Sequence, residues 1–166
     1  SLYRNNYKKT FRNFANPWRN FVLNDESGTV MCEYPEGTQK PAIPVPYCEE
    51  TMHGFEYQLA GLFFSHGMID EGVSVVRGIR ERYDGKKRNP WNELECGSNY
   101  ARSLASYGLI PIAGGFRFDM VRKMIGFDPK VTPCAFRSIF SVADAWGKVV
   151  ITENELTLTL LGGTLV

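Results

Sequence analysis

Residues 49–83 read EETMHGFEYQLAGLFFSHGMIDEGVSVVRGIRERY, and the fold turns on how this stretch is assigned. Met52, Phe55, Leu59, Leu62 and Phe63 recur at helical spacing, and Gly67 stands where a helix C-cap belongs. Val73, Val76, Ile79 and Arg80 repeat the period after Asp70, a fair N-cap. The spacing predicts two helices, about 49–66 and 70–83, joined by a short turn. Helical hairpins of this kind belong to bundles and to stacked or ringed helix pairs.

Upstream, Tyr3, Tyr7, Phe11, Phe14 and Trp18 follow steps of four, four, three and four. That is one helical face, and Pro17 is expected to end the helix near Asn16. This segment holds Arg4, Lys8, Lys9, Arg12 and Arg19 with no acid, leaving 14 basic against 18 acidic residues elsewhere. A basic aromatic helix suits RNA or a membrane surface. It equally describes a core helix with a solvated basic face, and the net charge of +1 gives no case for nucleic acid. Between residues 21 and 48 the run TQKPAIPVPY excludes a helix or a central strand. A long ordered loop is expected there, functional or tightly docked.

Downstream lies RNPWNELECGSNYAR, residues 88–102, too rich in charge and rings for an ordinary connector. Asp84-Gly85 begins a turn and Asn89-Pro90 forces an extended step. Ser98 is a candidate cap for a helix from Asn99 to about Ala113, with Pro111 marking its end or a kink. After Gly114-Gly115 the chain turns β-rich, with a turn at Asp128-Pro129. A hairpin is expected at Glu153-Asn154, between Val149–Thr152 and Leu156–Leu160. The expected organisation is an all-α part over residues 1–113 and a small β segment over 114–166.

Charged residues at 22% and hydrophobic residues at 43% make the chain globular rather than disordered. No run of about 18 apolar residues exists, so no membrane span is expected. SLYRNNYKK lacks the apolar core of a secretory signal, which favours a cytoplasmic location unless a signal lies upstream of Ser1. Both ends look cut, and a piece of a longer protein is the simpler expectation. Cys32, Cys48, Cys96 and Cys134 are too far apart for the ligand pairs of a zinc site and are expected to be buried thiols. His53 and His66 show no triad or metal spacing, and no phosphate-cradling glycine motif is present.

The carboxylates offer more. Glu93 lies nine residues before Arg102. A carboxylate accepts from two vicinal hydroxyls and a guanidinium donates to two from its planar fork, so a converging pair suits a sugar. The same pair also suits a structural lock between the loop and the next helix.

YDGKKRNPWNELECGSNYARSLASYGL, followed by GGFRFD, resembles the C-terminal part of the catalytic domain of glycoside hydrolase family 116. The family includes β-glucosidases, β-xylosidases and non-lysosomal glucosylceramidases. Upstream, the asparagine-rich N-terminal segment, DESG and the proline loop running into Glu50 and GFEY are similar to the family as well, so the likeness covers most of the chain.

The resemblance implies a mainly α fold, the last helices of a partial (α/α)6 barrel followed by a small C-terminal β segment. It implies cleavage of β-glycosides with retention, by a nucleophile and an acid/base about 5–5.5 Å apart. Both belong upstream of the matched region, so no catalytic residue is expected here, and neither metal nor cofactor is needed. The residues carried over are substrate-binding. Glu93 and Arg102 would hold hydroxyls of the non-reducing-end sugar, Glu50 would close the proline loop, and Trp91 would anchor or wall the site. Met52 stands where characterised members often carry a pocket-lining tryptophan. The expected partners are a β-glycoside and the remainder of the barrel. The alternative is a non-catalytic carbohydrate-binding or assembly module of the same ancestry.

Overall fold

The computed structural model describes residues 1–14, 21–43, 45–93 and 100–165. The expected helix stop at Pro17, together with Trp18, Glu95, Cys96, Gly97, the Ser98 cap and Asn99, lies outside them. The chain forms two compact units, Ser1–Ala60 with Asp70–Ser106, and Gly61–Ile69 with Tyr107–Val166.

The first unit begins with helix α1 (Leu2–Asn6), whose continuation is cut off by a tertiary bond. The Asn6 carbonyl accepts the Val30 N–H at 3.1 Å, and its side-chain amide donates to the Val30 carbonyl at 3.1 Å. Strand β1 (Tyr7–Lys8) follows and pairs antiparallel with β2 (Gly28–Thr29). The rings read as one helical face are spent locally instead. Tyr3 stacks on Tyr7 at 4.8 Å, and Phe11 meets Phe14 edge-on at 5.3 Å. Phe11, Val22 and Val30 form a buried cluster with Phe14 against it. Each such side chain contributes about 1.5–3 kcal/mol on burial. The proline loop is exposed along most of its length rather than docked, but its base is tied. Met31 N–H donates to the Glu50 carbonyl and Cys32 N–H to the Cys48 carbonyl.

Helices α2 (His53–Ser65) and α3 (Ile69–Arg82) are the predicted hairpin. Gly67, at φ 72°, makes the reversal between them, and the Met68 N–H closes it on the Phe63 carbonyl at 2.9 Å. The buried faces match those expected at Met52, Phe63 and Ile79 and differ elsewhere. In α2, Glu56, Tyr57 and Ala60 are buried while Phe55 and Leu62 are exposed. In α3 the buried set is Gly72, Val75, Gly78, Ile79 and Arg82, one position away from Val73 and Val76. A 3-10 helix (Arg102–Gly108) leads into α4 (Leu109–Ala113), whose first turn holds Pro111 without losing a helical bond.

The second unit contains a short hairpin, β3 (Arg117–Asp119) with β4 (Met124–Gly126). Asp119 Oδ1 accepts the N–H groups of Val121 and Arg122 at 3.0 Å and shapes its turn. A three-stranded antiparallel meander follows, β5 (Ala135–Ser141), β6 (Ala145–Thr152) and β7 (Leu156–Gly163), in that order. Phe136, Phe140, Ala145 and Val149 are its buried face. The β6–β7 hairpin turns at Glu153–Glu155, with Ile151 opposite Leu156.

The expectation of a mainly α chain built from the last helices of a partial (α/α)6 barrel is corrected. The described residues are 29% helical and 23% strand, with four helices and three antiparallel sheets. Three features account for this. The described residues between 7 and 52 carry two short strands and no helix, the first helix is stopped at Asn6, and residues 102–108 take a 3-10 turn instead of a continuous helix. Among the described residues no helix is long and apolar enough to cross a membrane.

Candidate functional site

Glu93, Arg102 and Met52, far apart in sequence, meet in the first unit. Glu93 enters through a single antiparallel bridge to Tyr100, donating its N–H to the Tyr100 carbonyl at 2.9 Å. Two residues on, Arg102 starts the 3-10 helix, and Ser103 Oγ donates to the Trp91 carbonyl to tie its start to the incoming chain. The bridge brings residues nine apart onto each other, so Arg102 Nη1 donates to Glu93 Oε2 at 2.8 Å. The same nitrogen lies 3.4 Å from Met52 Sδ.

The environment of the pair is uneven. Glu93 is completely buried, while the Arg102 side chain stays 29% exposed. The guanidinium lies 4.3 Å over the Tyr100 ring and 5.8 Å from the Phe55 ring, and both rings reach the surface. Arg102 is therefore a planar donor on an aromatic platform. Glu93 Oε1 has no side-chain hydrogen-bond partner among the described residues. Burial pushes the Glu93 carboxyl above its ordinary range, opposed by Arg102 and by the N–H groups of His53 and Gly54 at the start of α2. A helix N-terminus facing a carboxylate is favourable for the same reason.

Gly54 makes the approach possible. A Cβ there would lie 2.8 Å from Arg102 Cβ and 3.3 Å from the Arg102 carbonyl. Met52 is buried, as is Glu50, whose Oε1 accepts the N–H of Phe21 at 3.2 Å and of Thr51 at 3.0 Å. Glu50 thus ties the chain just ahead of α2. Trp91 is 74% exposed, its N–H bonded to Asn89 Oδ1 at 2.9 Å. The structure thus joins Glu93, Arg102 and Met52 directly. Glu50 stands two residues before Met52, and the Trp91 indole projects into solvent.

Behind this group is a buried polar cluster that residue spacing did not bring forward. Arg82 Nη2 ion-pairs with Glu56 Oε2 and its Nη1 donates to the Ser27 carbonyl. Glu56 Oε1 accepts the Thr29 N–H at 2.7 Å. Burial pushes the Glu56 carboxyl up against the pull of Arg82. His53 packs edge-on against Tyr83 with ring centroids 4.4 Å apart. Neither imidazole nitrogen has a hydrogen-bond partner, nor does the Tyr83 hydroxyl. Burial, helped by the charges of Arg82 and Arg102, depresses the His53 pKa to about 4. One signal for this cluster was in the sequence: Glu56 is the sole charged residue in HGFEYQLAGLFFS, as expected of a buried and paired acid.

The four cysteines were expected to be buried. Cys32 and Cys134 are exposed and Cys48 is half-buried, and Cys96 lies outside the described residues. Among the described residues no group of three or more His, Cys, Asp or Glu side chains converges as a metal centre. Compared with protein-family models and with curated proteins, the sequence gives no match to either.

Proposed function

We propose that this chain supplies the sugar-holding part of a retaining β-glycosidase of β-glucosidase type, with the nucleophile and acid/base carried upstream of it. The observation that carries this proposal is the meeting of Glu93 with Arg102 beside Met52, on a surface framed by Tyr100 and Phe55. Glu93 Oε2 fixes the guanidinium plane, so the fork is oriented before a ligand arrives. Glu93 Oε1 has no side-chain partner and faces the N–H groups of His53 and Gly54, which leaves it a lone pair with which to accept one further bond. A sugar hydroxyl entering along the exposed edge of Arg102 donates to that oxygen. The rings of Tyr100 and Phe55 give the apolar face of a pyranose a surface to lie on. Contacts to these hydroxyls promote hydrolysis to the extent that they tighten as the ring distorts toward the transition state.

The test is saturation-transfer NMR of the chain with methyl β-D-glucopyranoside. Transfer is expected for the wild type. It should weaken at least about tenfold in apparent affinity for Arg102→Lys, which keeps the charge and loses the planar fork. Equal transfer to both proteins, or none to either, refutes the assignment. In the longer protein, Arg102→Lys should lower kcat/KM on an aryl β-glucoside by at least about tenfold. Sugar binding with no hydrolysis there identifies a non-catalytic carbohydrate-binding module instead.

A further inference from the structure

Cys32 and Cys48 face each other across the base of the proline loop. The Cys32 N–H donates to the Cys48 carbonyl at 2.7 Å, and next to it the Met31 N–H donates to the Glu50 carbonyl at 2.9 Å. Cys48 sits in a turn, yet a single N–H···O=C bond of this length by itself keeps the two Cα atoms within about 6 Å of each other. That lies within the roughly 4.4–6.8 Å a disulfide spans. Both residues carry free thiols, and Cys32 is open to solvent. Cys48 Sγ is 3.6 Å from the Tyr34 hydroxyl. Partial burial, and then the nearby Cys48 sulfur, push the Cys32 thiol up, so exchange at this pair is accelerated by base. The chemistry of these two cysteines is independent of the proposed function.

We infer that Cys32 and Cys48 are a redox site that closes into an intrachain disulfide by exchange with a low-molecular-weight disulfide such as oxidised glutathione. One cysteine thiolate attacks the small disulfide, forms a mixed disulfide and expels one small thiolate. The second cysteine then attacks the protein sulfur of that mixed bond and expels the other. The two cysteines lose two electrons between them, the small disulfide gains both, and the two cysteine protons end on the two thiols released. The new bond closes residues 33–47 into a ring. It also locks Cys48-Glu49-Glu50 against Met31-Cys32, the segment that leads through Met52 into α2.

The test uses the reduced full chain in graded mixtures of reduced and oxidised glutathione, quenched in acid, alkylated and cut after glutamate. Cleavage after Glu26, Glu33, Glu36 and Glu49 places Cys32 on residues 27–33 and Cys48 on residues 37–49. The expected product is a loss of two hydrogens from the intact mass and one cross-link between those peptides. That cross-link should survive at least about tenfold more reduced glutathione in the native chain than in guanidinium-unfolded chain. Cys134→Ser should behave as wild type. Cys32→Ser should leave Cys48 as a glutathione mixed disulfide. Persistent mixed disulfides without the cross-link overturn the inference. So do cross-links through Cys96 or Cys134, or equal resistance in native and unfolded chain.

Discussion

Acidification should weaken this protein through its paired carboxylates and, separately, through one buried side chain, His53. It begins α2, is buried, and has hydrogen-bond partners at neither nitrogen. Three influences oppose its protonation: loss of water, the nearby charges of Arg82 and Arg102, and the positive end of a helix. They depress its pKa from 6.5 to about 4. Between those values the unfolded imidazole holds a proton that the folded one does not. Stability is therefore fully present above pH 6.5 and is lost as the pH falls through that window. The linkage gives about 2 kcal/mol lost by pH 5 and about 3 kcal/mol by pH 4. Urea unfolding at pH 7, 6 and 5 measures it, with His53→Phe as the control that cannot titrate. Phenylalanine keeps the edge-on contact with Tyr83 and breaks no hydrogen bond, so the variant should match or exceed wild type at pH 7. The difference between the two proteins cancels the carboxylates and should change by about 2 kcal/mol from pH 7 to pH 5. Parallel pH profiles would refute the assignment of His53 as a buried neutral imidazole.

Arg82→Met should cost about 3–5 kcal/mol in urea, because it strands a buried Glu56 and the Ser27 carbonyl; adding Glu56→Gln should recover a large part of that loss. Gly54→Ala should cost about 1–3 kcal/mol and weaken sugar binding together with it, since the new methyl overlaps Arg102 Cβ; unchanged affinity would dissociate the helix start from the site. Glu93 has a raised carboxyl pKa, so its contribution is present below its unfolded value and is lost as pH rises through its folded one. Relative to wild type, Glu93→Gln should therefore gain stability as the pH rises from about 4 to 7, as measured by urea midpoints.

The helical hairpin was legible because two signals agreed, an apolar period and a glycine at the break. The β6–β7 hairpin was legible because β-branched runs flank Glu153-Asn154. The N-terminal helix was overread for a physical reason: rings at steps of three and four also stack in a broken chain, and nothing local announces that Asn6 will bond Val30. The faces of α2 and α3 were read correctly at Met52, Phe63 and Ile79 and misjudged at Phe55 and Val73, which hydrophobicity alone favoured. Instead, Glu56 and Arg82 are turned inward by their bond to each other. Residue types brought Glu93 and Arg102 forward, but only the fold supplied Tyr100, Phe55 and Gly54, which look ordinary in sequence. His53 was discounted for lack of a partner triad, and its importance comes from burial, which spacing does not report.

The meander leaves two strands on its outside, and they are protected differently. β5 carries Arg137 and follows Pro133, while β7 reads LTLTLLGG, without charge or proline. Leu156, Leu160 and Leu161 are exposed along it, and among the described residues no strand pairs with its far side. An uncharged, β-prone edge of this length is a template for strand addition. Crowding or slow refolding would thus recruit further extended chain at β7, and one lysine facing outward there would be the economical way to block such addition.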